Sequence, residues 1–381
     1  MIYADNAATT RISDSVFDKM LPFLRGQYGN ASSQYSLGVK SKYAIEFARK
    51  QVAQAIGAEP SEIAFTSGGS EANSWVFHSI GEFYSNEPTH IITSSIEHHS
   101  VLNSCHALEK KGISVSYLPV DSHGRVSVTD VEKTLRPDTK LVSIMLANNE
   151  IGTLQPISDI GRLLKDRGIL FHTDAVQAVG HIPVDVITLC VDFLTASAHK
   201  FYGAKGTGIL YKRSGLSLLP LICGGGQEYG FRAGTENVAG IVSAGYAIEE
   251  SVELISTETQ RLNRLIKLTV DGITKGVPSV RVNGDSSCRL PGIINLGFDD
   301  ISGESLMHLL DLKGICVSTS SACNSGKNGP SHVLRALGLS DQKARSAIRI
   351  SYGKYNTADE VKNVVSSVCD AYNKILTAKK A

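Results

Sequence analysis

Short apolar runs alternate with amphipathic stretches through the first two thirds of the chain. Helical spacing occurs over 41–56, where Ile45, Ala48, Val52, Ala55 and Ile56 fall on one stripe, and again over 70–84, 97–111 and 157–167. Between them, apolar runs predict strands at 63–66, 90–94, 114–118, 140–146, 168–172, 192–196 and 208–211. Strands separated by helices of this length imply an α/β fold with a mainly parallel, seven-stranded sheet covered on both faces. From about residue 251 the pattern changes. A long helix over 251–275, a strand at 293–298, a helix at 304–310, a strand at 315–319 and a last helix over 358–376 predict a smaller α+β unit. The boundary near residue 250 gives a large domain over 14–250 and a small domain made of 1–13 and 251–381.

The chain has 381 residues, enough to bury roughly three quarters of the surface its unfolded form exposes, so no disulfide staples are needed. Lys and Arg total 38 against 37 Asp and Glu, and this balance lacks the basic face that direct nucleic-acid binding requires. The seven cysteines, an odd number, show neither CxxC nor Cys/His ligand spacing. That usage suits a reducing compartment, excludes a zinc framework and predicts that most of these thiols are small buried apolar residues. The opening MIYADNAATTR lacks a basic start followed by an apolar stretch, and no apolar run approaches the roughly 20 residues that span a bilayer. The expected location is the cytoplasm, away from membranes.

Three segments carry candidate chemistry. In IAFTSGGSEAN a strand meets a glycine-rich turn and a helix start, where Gly68, Gly69 and the Ser70 hydroxyl are able to hold a phosphate; an ordinary strand–turn–helix connection with Ser70 as cap reads the same way. In ILFHTDAVQAVG an apolar strand ends in His172, Asp174 and Gln177, at the strand end where open α/β sheets bind ligands, although a capping Asp has the same signature. Lys200 follows 26 residues after Asp174, beside Ser197 and His199 at the end of another apolar strand. A desolvated lysine has the lowered pKa that Schiff-base chemistry uses, whereas a lysine with a packed stem and a wet amine is the structural alternative. Taken in order, the turn, the Asp and the Lys are what pyridoxal 5'-phosphate (PLP) requires: a phosphate anchor, a partner that keeps the pyridine nitrogen protonated, and a Schiff-base amine.

With these motifs in place the chain resembles the cysteine desulfurases of the NifS and IscS kind, PLP enzymes of aminotransferase class V and fold type I. The resemblance runs through YADNAATT, YGNASS, FTSGGSEAN, IEHHSV, ANNEIGT, FHTDAVQAVG, SAHKFYGAKGTG, GGGQEYGFRAGTEN, LPGIINLGF, SSACNSG and SAIRIS. It implies that Lys200 is the Schiff-base lysine, Asp174 the partner of the pyridine nitrogen and Gln177 a donor to the ring oxygen. His98 matches the histidine that stacks on the ring and handles protons; His99 does not. Gly69, Ser70, Ser197 and His199 match phosphate-binding positions, and Thr235 matches one that reaches the phosphate from the other subunit of a homodimer. Asn149 and Arg349 match the residues that hold the substrate carboxylate, a task suited to a guanidinium fork, with Asn30 assisting.

Cys323 lies in STSSACNSGKNG, a polar setting unlike the apolar runs around Cys190 and Cys316. By resemblance it is the thiol that takes sulfur from L-cysteine as a persulfide and delivers it to an acceptor protein, an iron–sulfur scaffold among the candidates. YGNASS lacks the family's usual proline, Gly69-Ser70 replaces a common Ala-Thr, and NKILTAKKA does not resemble the tail some members use to dock a scaffold. Thiolated tRNA and sulfur-modified DNA remain alternative destinations for the sulfur. Selenocysteine lyase and other class V activities remain alternative chemistries. A non-catalytic PLP-fold scaffold would not need Lys200 and Cys323, and both are present.

Overall fold

The structure, a computed structural model, describes residues 1–319 and 329–380. After a two-residue strand β1 (Ile2–Tyr3), seven strands build the central sheet: β2 (Ile63–Thr66), β3 (His90–Ser94), β4 (Ser114–Leu118), β5 (Thr139–Ser143), β6 (Leu170–Asp174), β7 (Phe193–Ser197) and β8 (Gly208–Lys212). Their order is β2-β8-β7-β6-β5-β3-β4. All neighbours are parallel except β8, which runs antiparallel to both β7 and β2.

Successive residues of one strand serve opposite cores. Ile92, Val142, Leu194 and Ile209 pack with Val52, Ile56, Ile160, Leu164 and Ile248 on one face. Ile91, Leu141, Phe193 and Leu210 pack with Trp75, Phe77, Ile80 and Leu108 on the other. Burial on both faces is why the inner strands carry apolar residues at successive positions, as at Ile91-Ile92, Leu141-Val142, Phe193-Leu194 and Ile209-Leu210, instead of strictly alternating ones.

A second core lies on an antiparallel sheet of β9 (Arg281–Asn283), β10 (Ile293–Gly297), β12 (Ser318–Thr319) and β13 (Ala347–Ser351), ordered β12-β13-β10-β9, while β11 (Ile315–Cys316) pairs in parallel with β1. Leu262, Ile266, Leu296, Phe298, Ile348, Ile350, Val364 and Val368 fill it. The strand expected at 315–319 is therefore two strands in two sheets, with the chain changing partner at Val317. The long helix starts not at 251 but at Val238, and runs to Gly276. Its first half, with Ile241, Ala244 and Ile248, belongs to the first core and its second, with Leu262 and Ile266, to the other. Gly240 and Gly245 weaken the helical signal of the first half. Gly245 is needed for packing, since a Cβ there would sit 2.7 Å from the Ala48 Cα of the helix Ser36–Ile56.

Among the described residues no helix is long and apolar enough to cross a membrane, and no group of three or more His, Cys, Asp or Glu is placed to hold a metal ion. Cys105 is buried and Cys190, Cys288, Cys316 and Cys369 are half-buried, but Cys223 is exposed. Only one of these six described thiols is buried, so the expectation that most would be is not met, and at Cys223 the following Gly224, Gly225 and Gly226 bring no side chains to cover it.

One charged pair sits inside the fold. Arg49 donates from Nη1 and Nη2 to both carboxylate oxygens of Glu228 at 2.7 and 2.9 Å, and from Nη1 to the carbonyl of Ile63. Both side chains are almost fully buried. The pair holds Glu228 and Tyr229 in left-handed backbone conformations, with φ of 48° and 58°, just before Thr235. Removing one partner strands the other charge, so Arg49→Ala should lower stability by about 3–5 kcal/mol. Chemical denaturation followed by tryptophan fluorescence checks this, and a midpoint equal to wild type would contradict it.

Candidate active site

Parallel strands bring their C-terminal ends to one edge of the sheet, and the loops leaving that edge supply the site. His98 follows β3, Asn149 follows β5, Asp174 ends β6, and Ser197, His199 and Lys200 end β7. Gly69 and Ser70 open the helix Gly69–Phe83 after β2, and their N–H groups lie in the first turn, where no intrahelical acceptor exists. With Gln177 and Arg349 these ten residues line a single cavity of about 310 Å³. A larger cleft of about 630 Å³ lies at the opposite strand ends, lined by residues that include Lys165, Cys190 and Arg213, and collects none of the candidate residues.

Lys200 is half-buried in a tight turn after β7. Its Nζ donates to the carbonyl oxygens of Ala7 and Ala8 at 2.6 and 2.7 Å. His181 Nε2 lies 2.8 Å from the Lys200 carbonyl, and Tyr202 just beyond takes a left-handed φ of 69°. Gln177 Nε2 also donates to the Ala7 carbonyl, at 2.9 Å. The Asp174 carboxylate accepts from Asn73 Nδ2 at 2.7 Å and from the backbone N–H of Val176 at 3.0 Å. Val176 explains Gly69: a Cβ on residue 69 would come within 2.7 Å of the Val176 Cγ2, so the alanine common at this position does not fit here.

Arg349, 3 % exposed on β13, donates to the Asn149 carbonyl at 2.8 Å and to Asp5 Oδ1 at 2.6 Å. Its Nε is buried without a partner among the described residues. Burial lowers the pKa of His98, against the pull of the Asp174 charge and with help from Lys200 and His99. Burial, with Lys200 and Lys205 nearby, drops His199 to about 4. Burial pushes Glu97 up to about 8, although Ser94 and the Met145 N–H donate to it, and lifts Glu150 to about 7, against Ser331 and Arg349.

These residues fit PLP. The Asp174 carboxylate faces the cavity from a fixed orientation, the Lys200 amine reaches the same cavity, and the helix start at Gly69 offers N–H groups to an anion. Two candidates stand apart. Asn30 is exposed, its Oδ1 capping its own turn by accepting from the Ser32 N–H, and Thr235 is exposed on the loop that Arg49 and Glu228 anchor. Neither lines this cavity, and Cys323 lies outside the described residues. Sequence reasoning missed Ala7 and Ala8, whose contribution is backbone carbonyls, and Asn73 and Ser100, which sit inside quoted motifs without side-chain chemistry to mark them.

The model of the aminotransferase class-V family matches residues 2–364. A cysteine desulfurase IscS of Methanosarcina thermophila is 47% identical over 374 residues, covering 98% of this chain and 92% of that protein. A cysteine desulfurase IscS of Dictyoglomus turgidum is 48% identical over 360 residues, covering 94% and 91%. Among solved structures, a NifS-like protein matches with a TM-score of 0.92 at 41% identity, over 97% of this chain and 98% of that one. Another, described as SspA in complex with cysteine, matches with a TM-score of 0.84 at 37% identity, over 94% and 100%. With the family model spanning nearly the whole sequence and the relatives aligned end to end, the chain belongs to the class-V aminotransferase family.

Proposed function

We propose that this chain is a PLP-dependent cysteine desulfurase, converting L-cysteine to L-alanine and passing the sulfur through a persulfide on Cys323. The observation that carries the reading is the convergence of Lys200, Asp174, His98 and Arg349 on one cavity, with a buried guanidinium nitrogen still unpaired. The printed names of the relatives, and the cysteine bound in one structural neighbour, support it.

When bound, PLP supplies an electron sink that makes a substrate Cα–H bond breakable. Gly69, Ser70, Ser197 and His199 hold its phosphate, Asp174 keeps the ring nitrogen protonated, and Gln177 donates to the ring oxygen. Arg349 binds the substrate carboxylate, with Asn149 at its side. Lys200 takes the proton from Cα, and the carbonyls of Ala7 and Ala8 orient its Nζ for this. His98, which lines the cavity, stacks on the ring and handles protons. The Cys323 thiolate then attacks the substrate Sγ: an S–S bond forms, the Cβ–Sγ bond breaks, and its electron pair stays with the carbon skeleton that leaves, after protonation, as alanine.

The domain division at residue 250 is part of this reading, with the small domain carrying Cys323. So is a homodimer. Thr235 is exposed and does not line its own cavity, and Phe17, Leu21, Leu24, Val39, Tyr43 and Phe47 leave an exposed apolar face on two helices. A cytoplasmic location suits the free thiols, and the persulfide passes to a second protein, with an iron–sulfur scaffold as the candidate.

Lys200→Ala should lose turnover and covalent cofactor attachment. Cys323→Ser should keep the cofactor spectrum but lose sulfur transfer, because a hydroxyl is a far weaker nucleophile than a thiolate near neutral pH. Peptide mass mapping after a brief cysteine pulse should find the extra sulfur on Cys323, not on exposed Cys223; near-normal alanine release by either variant would overturn the mechanism. Arg349→Ala should raise KM for cysteine by about one to two orders of magnitude, as expected for a lost charge-assisted pair, with cofactor affinity changed much less. Thr235→Ala should weaken PLP binding by about tenfold while sedimentation still reports twice the chain mass; wild-type affinity, or a monomeric wild type, would refute the cross-subunit role.

A further inference from the structure

Two side chains without an assigned role lie between His98 and Asp174. Asn73, 1 % exposed, donates from Nδ2 to Asp174 Oδ2 at 2.7 Å and to Ser100 Oγ at 2.8 Å. An amide NH2 has two hydrogens, so both bonds form at once. Ser100 Oγ lies 2.8 Å from His98 Nδ1, and the Ser100 backbone N–H donates to the same nitrogen at 3.2 Å. A backbone N–H can only donate, but at 3.2 Å this long bond biases the neutral ring toward a proton on Nε2 without fixing it, and the shorter contact to Ser100 Oγ decides the tautomer by whether the hydroxyl donates.

The direction of the chain is set at its far end. Turning the Asn73 amide over would press Oδ1 against the Asp174 carboxylate, acceptor against acceptor. In the orientation observed, Asn73 fills a lone pair of Ser100 Oγ, which leaves that hydroxyl's hydrogen free to point at His98 Nδ1. The arrangement has a cost that shows where its purpose lies: Asn73 Oδ1 is buried with no partner among the described residues. A buried amide kept only for packing would be expected to satisfy its oxygen as well.

We propose that Asn73 and Ser100 are positioning residues that hold His98 as its Nε2–H tautomer and tie the ring to the carboxylate of Asp174. The proposal rests on the roles given above to His98 and Asp174, and it assigns which ring nitrogen meets the cavity. Nδ1 is closed by two donors, so Nε2 is where His98 exchanges protons or hydrogen bonds with cofactor and substrate. Orientation of one catalytic group by a chain of donors is how outer partners act on metal-bound histidines as well.

The test is long-range proton–nitrogen correlation spectroscopy of the PLP-loaded protein labelled with 15N-histidine, with the His98 signals assigned by their loss in His98→Gln. Wild type should show the Nε2–H pattern. Asn73→Ala and Ser100→Ala should each give a mixture of tautomers, with kcat lower by about ten- to a hundredfold and KM for cysteine within about threefold of wild type. Ser100→Thr, which keeps the hydroxyl, should restore the Nε2–H pattern. Ser100 is half-buried and its alanine variant alone decides the matter if Asn73→Ala does not fold. An Nδ1–H pattern in wild type, or an unmixed Nε2–H pattern in Ser100→Ala, overturns the proposal whatever the activity. The ring pattern is read without turnover, so a failure of the desulfurase reading would show separately, as a wild-type protein that releases no alanine.

Discussion

Residues 2–10 form a strip, extended at Ile2–Tyr3 and turning at residues 5–8 where the Ala8 N–H donates to the Asp5 carbonyl, whose backbone is satisfied from both cores, and the site is assembled on it. Ile2 N–H donates to the Gly314 carbonyl, Ala4 to Cys316, Asn6 to Ser351 and Thr10 to His199, at 2.7 to 3.1 Å. A buried strip without such partners would carry a row of costly unpaired groups, so its path is fixed wherever both cores are present. Two consequences meet in the cavity. The carbonyls of Ala7 and Ala8 are left as the acceptors for Lys200 Nζ, and Asp5 is left beside Arg349. One strip thus helps set the positions of both the amine and the guanidinium that line the cavity.

The surroundings of the cavity explain how several charges coexist there. Glu97 and Glu150 are wholly buried, and burial raises both pKa values, Glu97 the further, which favours their neutral forms. His98 and His199 are held toward the neutral form by the same desolvation. Asp174 is stabilised differently, by an amide and a backbone N–H that both donate to it. Burial discourages charge on the acids and histidines around the cavity, while dedicated partners support Asp174 and Arg349.

The central sheet was largely legible in the sequence because both of its faces are buried. The strands expected at 63–66, 90–94 and 114–118 coincide with β2, β3 and β4, each legible from its apolar residues although polar ones interrupt them, as His90, Thr93 and Ser94 do in β3 and Ser114 and Ser116 do in the edge strand β4. The helix Asp14–Arg25 was not foreseen, because Phe17, Leu21 and Leu24 put apolar side chains on its outer face. The partner change at Val317 was hidden because pairing registers leave no mark on composition. In the site, Asp174 and Lys200 stood out by their chemistry at the ends of apolar strands, and Arg349 through the family's motifs. The alanine carbonyls and the orienting Asn73 were not, because nothing in the identity of an alanine announces what its backbone accepts.

The closure of the strip also fixes when the molecule can be finished. Asn6 Nδ2 donates to the carbonyl of Ser351, 345 positions away in the chain. At about 5–20 residues per second, a ribosome needs roughly 17–70 s to make that interval. Most of the larger core can collapse during that time, yet residues 2–10 have no second edge to pair with until residues 314–351 emerge. The strip is therefore not fully held until Ser351 is available, and a nascent chain has no completed pocket in which to capture a cofactor before residue 351 has been made.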